Sequence, residues 1–321
     1  MQRPIALNVE LSGCGLSATS GTLSSVAPEE VKRAESKAIL SESPISLINP
    51  VSPIAPGAKP REWQEYLIEA WALGCFMIAI GIVVMLLEAP PSLLHSWIPN
   101  AHIRRVIMAA AMGLTAVALI YSPWGQRSGA HMNPAVTLAF LRLGKISLRH
   151  ALGYIAAQTI GGSVAIYLVW IAFGATFSAP PVSFVTTVPS EGAVLAAFSA
   201  ELSMSALLML MLLASISSRR LAPYTGLVVG ILIFVFISLE APLSGMSINP
   251  ARTLASALPA NQWTSFWLYL VAPILGMQLA VALFAWLSPS REASCAKLVH
   301  SSTQRCIHCG FEPAAKDSAR V

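Results

Sequence analysis

The sequence predicts an all-α transmembrane protein with six spanning helices plus two re-entrant half-helices, arranged as an inverted repeat. Three observations carry this expectation. Of 321 residues, 55% are hydrophobic and 11% charged, where an ordinary soluble domain is roughly a quarter charged. The apolar residues gather into long runs almost free of Asp, Glu, Lys and Arg, the size of bilayer spans of about 20 residues. Finally, one short string occurs twice, 116 residues apart, with similar surroundings each time.

Residues 1–60 are rich in Ser, Pro and Ala, with charges between Glu29 and Lys37, the composition of a disordered arm. The stretch Met1 to Glu10 has neither a basic n-region nor an apolar h-region, so no cleaved signal peptide is expected and the first span would direct insertion. A membrane body follows over residues 61–290, with repeats at about 63–175 and 191–288, and then a polar tail, 291–321. Trp63 suits the headgroup belt. The spans are expected at Tyr66–Leu87, Arg105–Tyr121, Leu148–Phe173, Ala193–Leu213, Pro223–Leu239 and Phe266–Leu287.

Loop charges set the expected orientation. Arg127, Arg142, Lys145 and Arg149 follow span two, Arg219 and Arg220 follow span four, and the tail holds Arg291, Lys297 and Arg305. The long connection from Gly174 to Gly192 has no Lys or Arg. The positive-inside rule then places both termini in the cytoplasm, with Arg104 and Arg105 as dissenting charges. A net charge of +5 scattered in this way forms no basic, aromatic-interleaved surface, so nucleic acid is not an expected partner.

The recurring string is His131-Met-Asn-Pro-Ala-Val-Thr137 and Ser247-Ile-Asn-Pro-Ala-Arg-Thr253. Gly113 and Gly161 flank Asn133 at nearly the offsets that Gly230 and Gly276 keep from Asn249, and Glu69 and Glu201 are the lone acids of spans one and four. Two halves of three spans are implied. Three is odd, so the second half must enter from the opposite side. Each Asn-Pro-Ala opens an apolar segment, Pro134–Leu143 and Pro250–Leu258, whose ~10 helical residues reach only about 15 Å. Asn is a favoured N-cap and Pro a favoured first helical residue, while Gly144 and Pro259 stand where the segments should stop. The two N-termini would meet near the midplane, each with about half a positive charge that repels cations. The amides of Asn133 and Asn249 could donate to a passing oxygen.

The strings Ser128-Gly-Ala-His-Met-Asn-Pro-Ala-Val-Thr137 and Ser244-Gly-Met-Ser-Ile-Asn-Pro-Ala-Arg252 resemble the two signature loops of the aquaporin, or major intrinsic protein, family, over about Trp63 to Ser288. The resemblance implies a passive channel for water or small uncharged solutes that excludes protons and ions, with Asn133, Pro134, Ala135, Asn249, Pro250 and Ala251 at its centre. It further implies a homotetramer in membrane lipid and the plasma (inner) membrane as location. An outer constriction would be formed by Met112, Ile237, Met246 and Arg252. That ring is apolar for the family. Water-selective members generally place His where Ile237 stands, and glycerol-conducting members follow the arginine with Asp, where this chain has Thr253. Tyr269 and Leu270 resemble the broader-specificity, nodulin-like members. A glycerol, urea, peroxide or metalloid-type facilitator with little water flux is therefore the alternative, and a closed-pore scaffolding member a third reading.

Glu69 and Glu201 are expected to be structural, accepting N–H groups of the re-entrant loops, rather than proton-relay acids. His131 either braces its loop or lines the pore, and Gly161, Gly162 and Gly276 permit close helix packing. No enzyme is expected: an intramembrane serine protease would need a base, and no histidine lies between His150 and His300. The five cysteines form no secreted disulfide framework. Cys306-Ile-His308-Cys309, with Cys295 and His300 upstream, resembles half of a zinc site, but its second pair lacks the usual spacing. No metal ligand and no cofactor is expected.

Overall fold

A computed structural model of the chain describes residues 62–290, 293–300 and 305–312, all within one compact unit spanning residues 51–321. The expected arm over residues 1–60 lies outside the described residues. In order, the helices are α1 (Trp63–Glu88), α2 (Leu93–Trp97), α3 (Ala101–Tyr121), α4 (Pro123–Ser128), α5 (Pro134–Arg142), α6 (Leu148–Phe173), α7 (Ala175–Ser178), α8 (Val194–Ile216), α9 (Thr225–Ser244), α10 (Pro250–Ala260) and α11 (Phe266–Leu287), with short 3₁₀ turns at Ser183–Val185 and Ala222–Tyr224. Six of these, α1, α3, α6, α8, α9 and α11, are long and apolar enough to cross a membrane. The short apolar helices α5 and α10 are the two half-helices.

Local chemistry explains several of the starts. Asn100 caps α3 by accepting from His102 N and Ile103 N, at 2.9 and 3.2 Å. Ser122 caps α4, and Ser147 caps α6. Such side chains satisfy amide groups that a helix leaves without partners. Large apolar side chains also face outward, Leu195 at 79% exposure and Leu239 at 75%, as lipid-facing surfaces require. Exposed tryptophans, Trp63, Trp97, Trp124, Trp263, Trp267 and Trp286, sit at or near helix ends, the positions of an interfacial aromatic belt.

Within each half, the first and third spans pack together, α1 on α6 and α8 on α11, while α3 and α9 pack across the halves. Glycines permit the close approaches. A Cβ on Gly161 would lie 2.1 Å from Ala70 O, and one on Gly276 would lie 2.2 Å from Leu202 O. These contacts fall one residue after Glu69 and Glu201 respectively, so the repeat extends to the packing beside its two acids. Gly162 is less constrained, its nearest neighbours being side-chain carbons at 3.3 Å.

Several boundaries differ from the sequence expectation: α1 begins at Trp63 and α3 at Ala101, three and four residues early, α8 runs three residues past Leu213 to Ile216, and two helices run on through a proline. Helix α10 does not stop at Pro259 but continues to Ala260, and Asn261 closes it with left-handed backbone (φ 48°). Proline has a helical φ, and in the last turn it forfeits only one backbone bond. Helix α9 likewise runs past Leu239 to Ser244, through Pro242, and ends on Gly245 at φ 81°. We call the face at which α1 begins the near face and its opposite the far face. Alternation of the spans makes α5 dip from the near face and α10 from the far face.

Candidate functional site

Helices α5 and α10 meet N-terminus to N-terminus, and their caps hold them there. Asn133 Oδ1 accepts from Ala135 N at 2.9 Å, and Asn249 Oδ1 accepts from Ala251 N at 3.1 Å and Arg252 N at 3.2 Å. Their nitrogens tie the two halves together. Asn133 Nδ2 donates to Ile248 O at 2.8 Å, and Asn249 Nδ2 donates to Met132 O at 2.7 Å. A primary amide has two N–H groups, so each asparagine retains one beyond this tie. Pro134 and Pro250 occupy the first helical positions, and Pro134, Ala135, Pro250 and Ala251 are all buried.

The loops leading into the caps are strained. Ala130 and Met132 in the first half, and Met246 and Ile248 in the second, have φ between 48° and 55°, a region that costs L-residues about 1–2 kcal/mol each. A buried carboxylate offsets this in each half. Glu69 accepts from Ser128 Oγ (2.7 Å), His131 N (3.1 Å), Met132 N (2.8 Å) and Gln158 Nε2 (2.8 Å). Glu201 accepts from Ser244 Oγ (2.6 Å), Ser247 N (2.7 Å) and Ile248 N (2.6 Å). Tyrosine completes each loop: Tyr154 Oη donates to Ser128 O at 2.7 Å and Tyr269 Oη to Ser244 O at 2.5 Å. Gln158 and Tyr154 were missed as site residues by sequence reasoning. The signal for Tyr154 was present, since it precedes Gly161 as Tyr269 precedes Gly276, by seven residues each; Gln158 has no such counterpart.

A cavity of about 460 Å³ runs beside this junction. Asn133, Asn249, His131, Ile237, Met246 and Arg252 all line it, together with apolar stripes of α1, α8 and α9. Arg252 is 5% exposed, and its Nη1 has no hydrogen-bond partner among the described residues. A buried guanidinium with an unpaired donor at a cavity wall is poised to bind a polar guest. Met112 differs from Ile237, Met246 and Arg252, the other three residues expected at a constriction. It is fully buried and does not line the cavity, although Met108 and Ala116, four residues to either side on α3, do. At the far end of the cavity, Glu88 is bound through both oxygens by Arg104, at 3.1 and 2.9 Å.

At the near end the wall includes the C-terminal tail, which the sequence reading took as a polar segment outside the membrane body. Leu298 lines the cavity, and its N–H donates to Gly129 O at 3.2 Å. His131 Nε2 lies 2.6 Å from Ala296 O. A carbonyl can only accept, so Nε2 carries a proton, while Nδ1 lies 3.0 Å from Thr137 Oγ1, whose hydroxyl donates to Asn133 O at 3.1 Å. His131 thus braces its loop and lines the cavity at once. His308 lies 3.1 Å from Tyr154 Oη and 3.2 Å from Ser128 O; burial pushes its pKa down to about 3, so its ring is neutral. Ala293, Ala296, Leu298 and Cys306 are all buried in this packing.

The comparisons with known proteins agree with this geometry. Residues 58–284 match the family model of the major intrinsic protein. Aquaporin NIP1-2 of Arabidopsis thaliana is 35% identical over 173 residues, 53% of this chain and 58% of the relative. Aquaporin Z of Bradyrhizobium diazoefficiens is 29% identical over 198 residues, 59% of this chain and 82% of the relative. Against the plant relative, then, the match spans little more than half its length. The aquaglyceroporin structure from Plasmodium falciparum, at 20% identity, covers 70% of this chain and 95% of its own with a TM-score of 0.57, which speaks to fold. With a family match over most of the sequence and both signature loops meeting at their Asn-Pro-Ala caps, the chain belongs to the major intrinsic protein family.

Proposed function

We propose that the chain is a passive channel for water and small uncharged solutes, excluding protons and ions, with the cavity beside the half-helix junction as its path. One observation carries this reading: Asn133 and Asn249, each capping a half-helix, are tied across the midplane and both line a single cavity. Two helix N-termini aimed at one point place about one elementary charge of positive potential there. A cation passing that point loses hydration without gaining a counter-charge. A neutral molecule meets donors at that point, the free amide N–H groups and Arg252 Nη1, and can replace some lost water bonds with them. A water held by two donors turns its own protons outward and breaks a proton-conducting chain. Selectivity by pore diameter, hydrogen bonding and half-helix dipoles is the established principle of aquaporin pores, and its application to these residues is what is proposed. No bond is made or broken in transit, so the reading is not that of an enzyme.

The second reading, a facilitator of glycerol, urea, peroxide or metalloid-type solutes with little water flux, is favoured by the apolar wall at Ile237 and Met246 beside Arg252. Such a wall removes one polar partner that water would use. We further propose the plasma membrane as location, cytoplasmic termini and a homotetramer with one path per subunit. The near face is then the cytoplasmic face. Light-scattering measurements on reconstituted vesicles decide among these solutes. Shrinkage in sucrose should exceed that of empty vesicles without added proton leak; unchanged shrinkage with raised glycerol or urea uptake selects the facilitator, and background values for every solute reject both.

A further inference from the structure

We propose that Cys295, His300, Cys306 and Cys309 form a tetrahedral binding site for a thiolate-seeking divalent ion such as Zn²⁺, and that the bound ion fastens the C-terminal tail as a stopper in the near-face mouth of the cavity. The four donor atoms all lie within 4.8 Å of one another. Cys295 Sγ is 3.4 Å from Cys306 Sγ, and His300 Nε2 is 3.2 Å from Cys309 Sγ. A tetrahedron with Zn–S near 2.3 Å and Zn–N near 2.0–2.1 Å has edges of roughly 3.5–3.8 Å, so small adjustments close the shell. Three thiolates and one imidazole are a donor set of structural zinc sites. A Cys295–Cys306 disulfide, with sulfurs about 2.05 Å apart, would leave His300 and Cys309 converging without reason.

The spacing Cys-x4-His-x5-Cys-x2-Cys argues against such a site on sequence grounds; the fold supplies what the spacing lacks. Cys306 and Cys309 sit on one tight turn, with Gly310 N donating to Cys306 O at 3.1 Å and Cys306 N to Phe311 O at 2.9 Å. The described tail residues contain no helix or strand. A short irregular segment of this kind obtains much of its folding free energy from the metal it binds. On ligation each thiol releases a proton to solvent, and the site, with neutral His300, carries one net negative charge. Lys297, buried at 2% exposure beside Cys295 and Ala296, offers the offsetting charge.

The ligands are placed between the contacts that close the mouth. Ala296, bonded to His131, adjoins Cys295. Leu298, which lines the cavity and bonds to Gly129, lies between Cys295 and His300. His308, beside Ser128 and Tyr154, lies between Cys306 and Cys309. One ion would join all three contacts into a single unit. The consequence for flux rests on the channel reading above; the ion site and the docking do not.

The test uses the full chain in detergent and in vesicles. After equilibration with Zn²⁺ and removal of the free ion, the chain should retain one zinc per protein, and the double variant Cys306→Ser with Cys309→Ser should retain almost none. Zinc absent from the native chain, or equal in both, overturns the site. Tryptic cleavage after Lys297 should accelerate about tenfold on chelation, as release of a modestly stable docked segment requires, and slow again when Zn²⁺ is restored; a rate indifferent to zinc overturns the stopper. Opening by a phosphine reductant, with no response to chelator, identifies a disulfide and also overturns it. Water or glycerol flux should rise on chelation in the native chain and stand permanently raised in the double variant. Flux that is present but indifferent to zinc removes the stopper, whereas background flux in every state, with zinc retention and protease protection intact, removes the channel reading and leaves the metal site standing.

Discussion

Glu201 meets three donors, and its carboxylate is worth most where the Ser247 and Ile248 amides converge. Replacing it by Gln turns an amide NH₂ toward one of those N–H groups. The expected cost is about 2–3 kcal/mol, from one lost charge-assisted bond and one unsatisfied buried donor; it should appear as a lower midpoint of thermal unfolding in detergent. The same change at Glu69 should cost as much or more, since Glu69 serves a fourth donor, Gln158. Arg252→Val removes the guanidinium whose Nη1 has no hydrogen-bond partner among the described residues at the cavity wall. Glycerol uptake and proton leak should both rise in vesicles, and a variant that leaves both unchanged would show that Arg252 does not face the permeant. These acids and the arginine were legible as isolated charges in apolar runs. Gln158 and Met112 were not, because a neutral side chain in a span shows its orientation only once neighbouring helices are placed.

Among the elements, the half-helices were readable because every local signal agreed: the cap, the proline and a length too short to cross. Their far ends were less so. Pro259 looks like a stop in sequence, but the fold tolerates it in the final turn of α10. Helix packing has a sharper requirement. Gly276→Val places a Cβ about 2.2 Å from Leu202 O, a clash with backbone that α11 relieves only by moving away from α8. We expect a loss above about 3 kcal/mol, seen as aggregation on size-exclusion chromatography. Val at Gly162, whose nearest contacts are side chains, should be much milder. Asn249→Ala removes the cap of α10 and the bond to Met132 O together; a destabilisation of about 2 kcal/mol is expected, with the junction loosened on both sides.

For the molecule as a whole, the six spans and their inverted order were legible because hydropathy and a repeated string survive in one dimension. The positive-inside reading had Arg104 against it, yet that guanidinium is bound by Glu88, which removes much of its unpaired charge from the far face. Protease added to sealed right-side-out vesicles should therefore leave the tail intact, and its digestion there would reverse the orientation. The docking of the tail was not legible at all. The Cys306-Ile-His308-Cys309 cluster was visible, but not the fold that brings Cys295, His300, Cys306 and Cys309 together or that joins a histidine to a carbonyl 165 positions away in sequence.

The mutual bonds between Asn133 and Ile248 O, and between Asn249 and Met132 O, have a mechanical corollary. A waist buttoned from both sides cannot widen or twist without undoing paired bonds and two helix caps in one motion. Any change in the path must then be made at the rims, where loops and tail rather than these caps form the wall, while the centre keeps its bore.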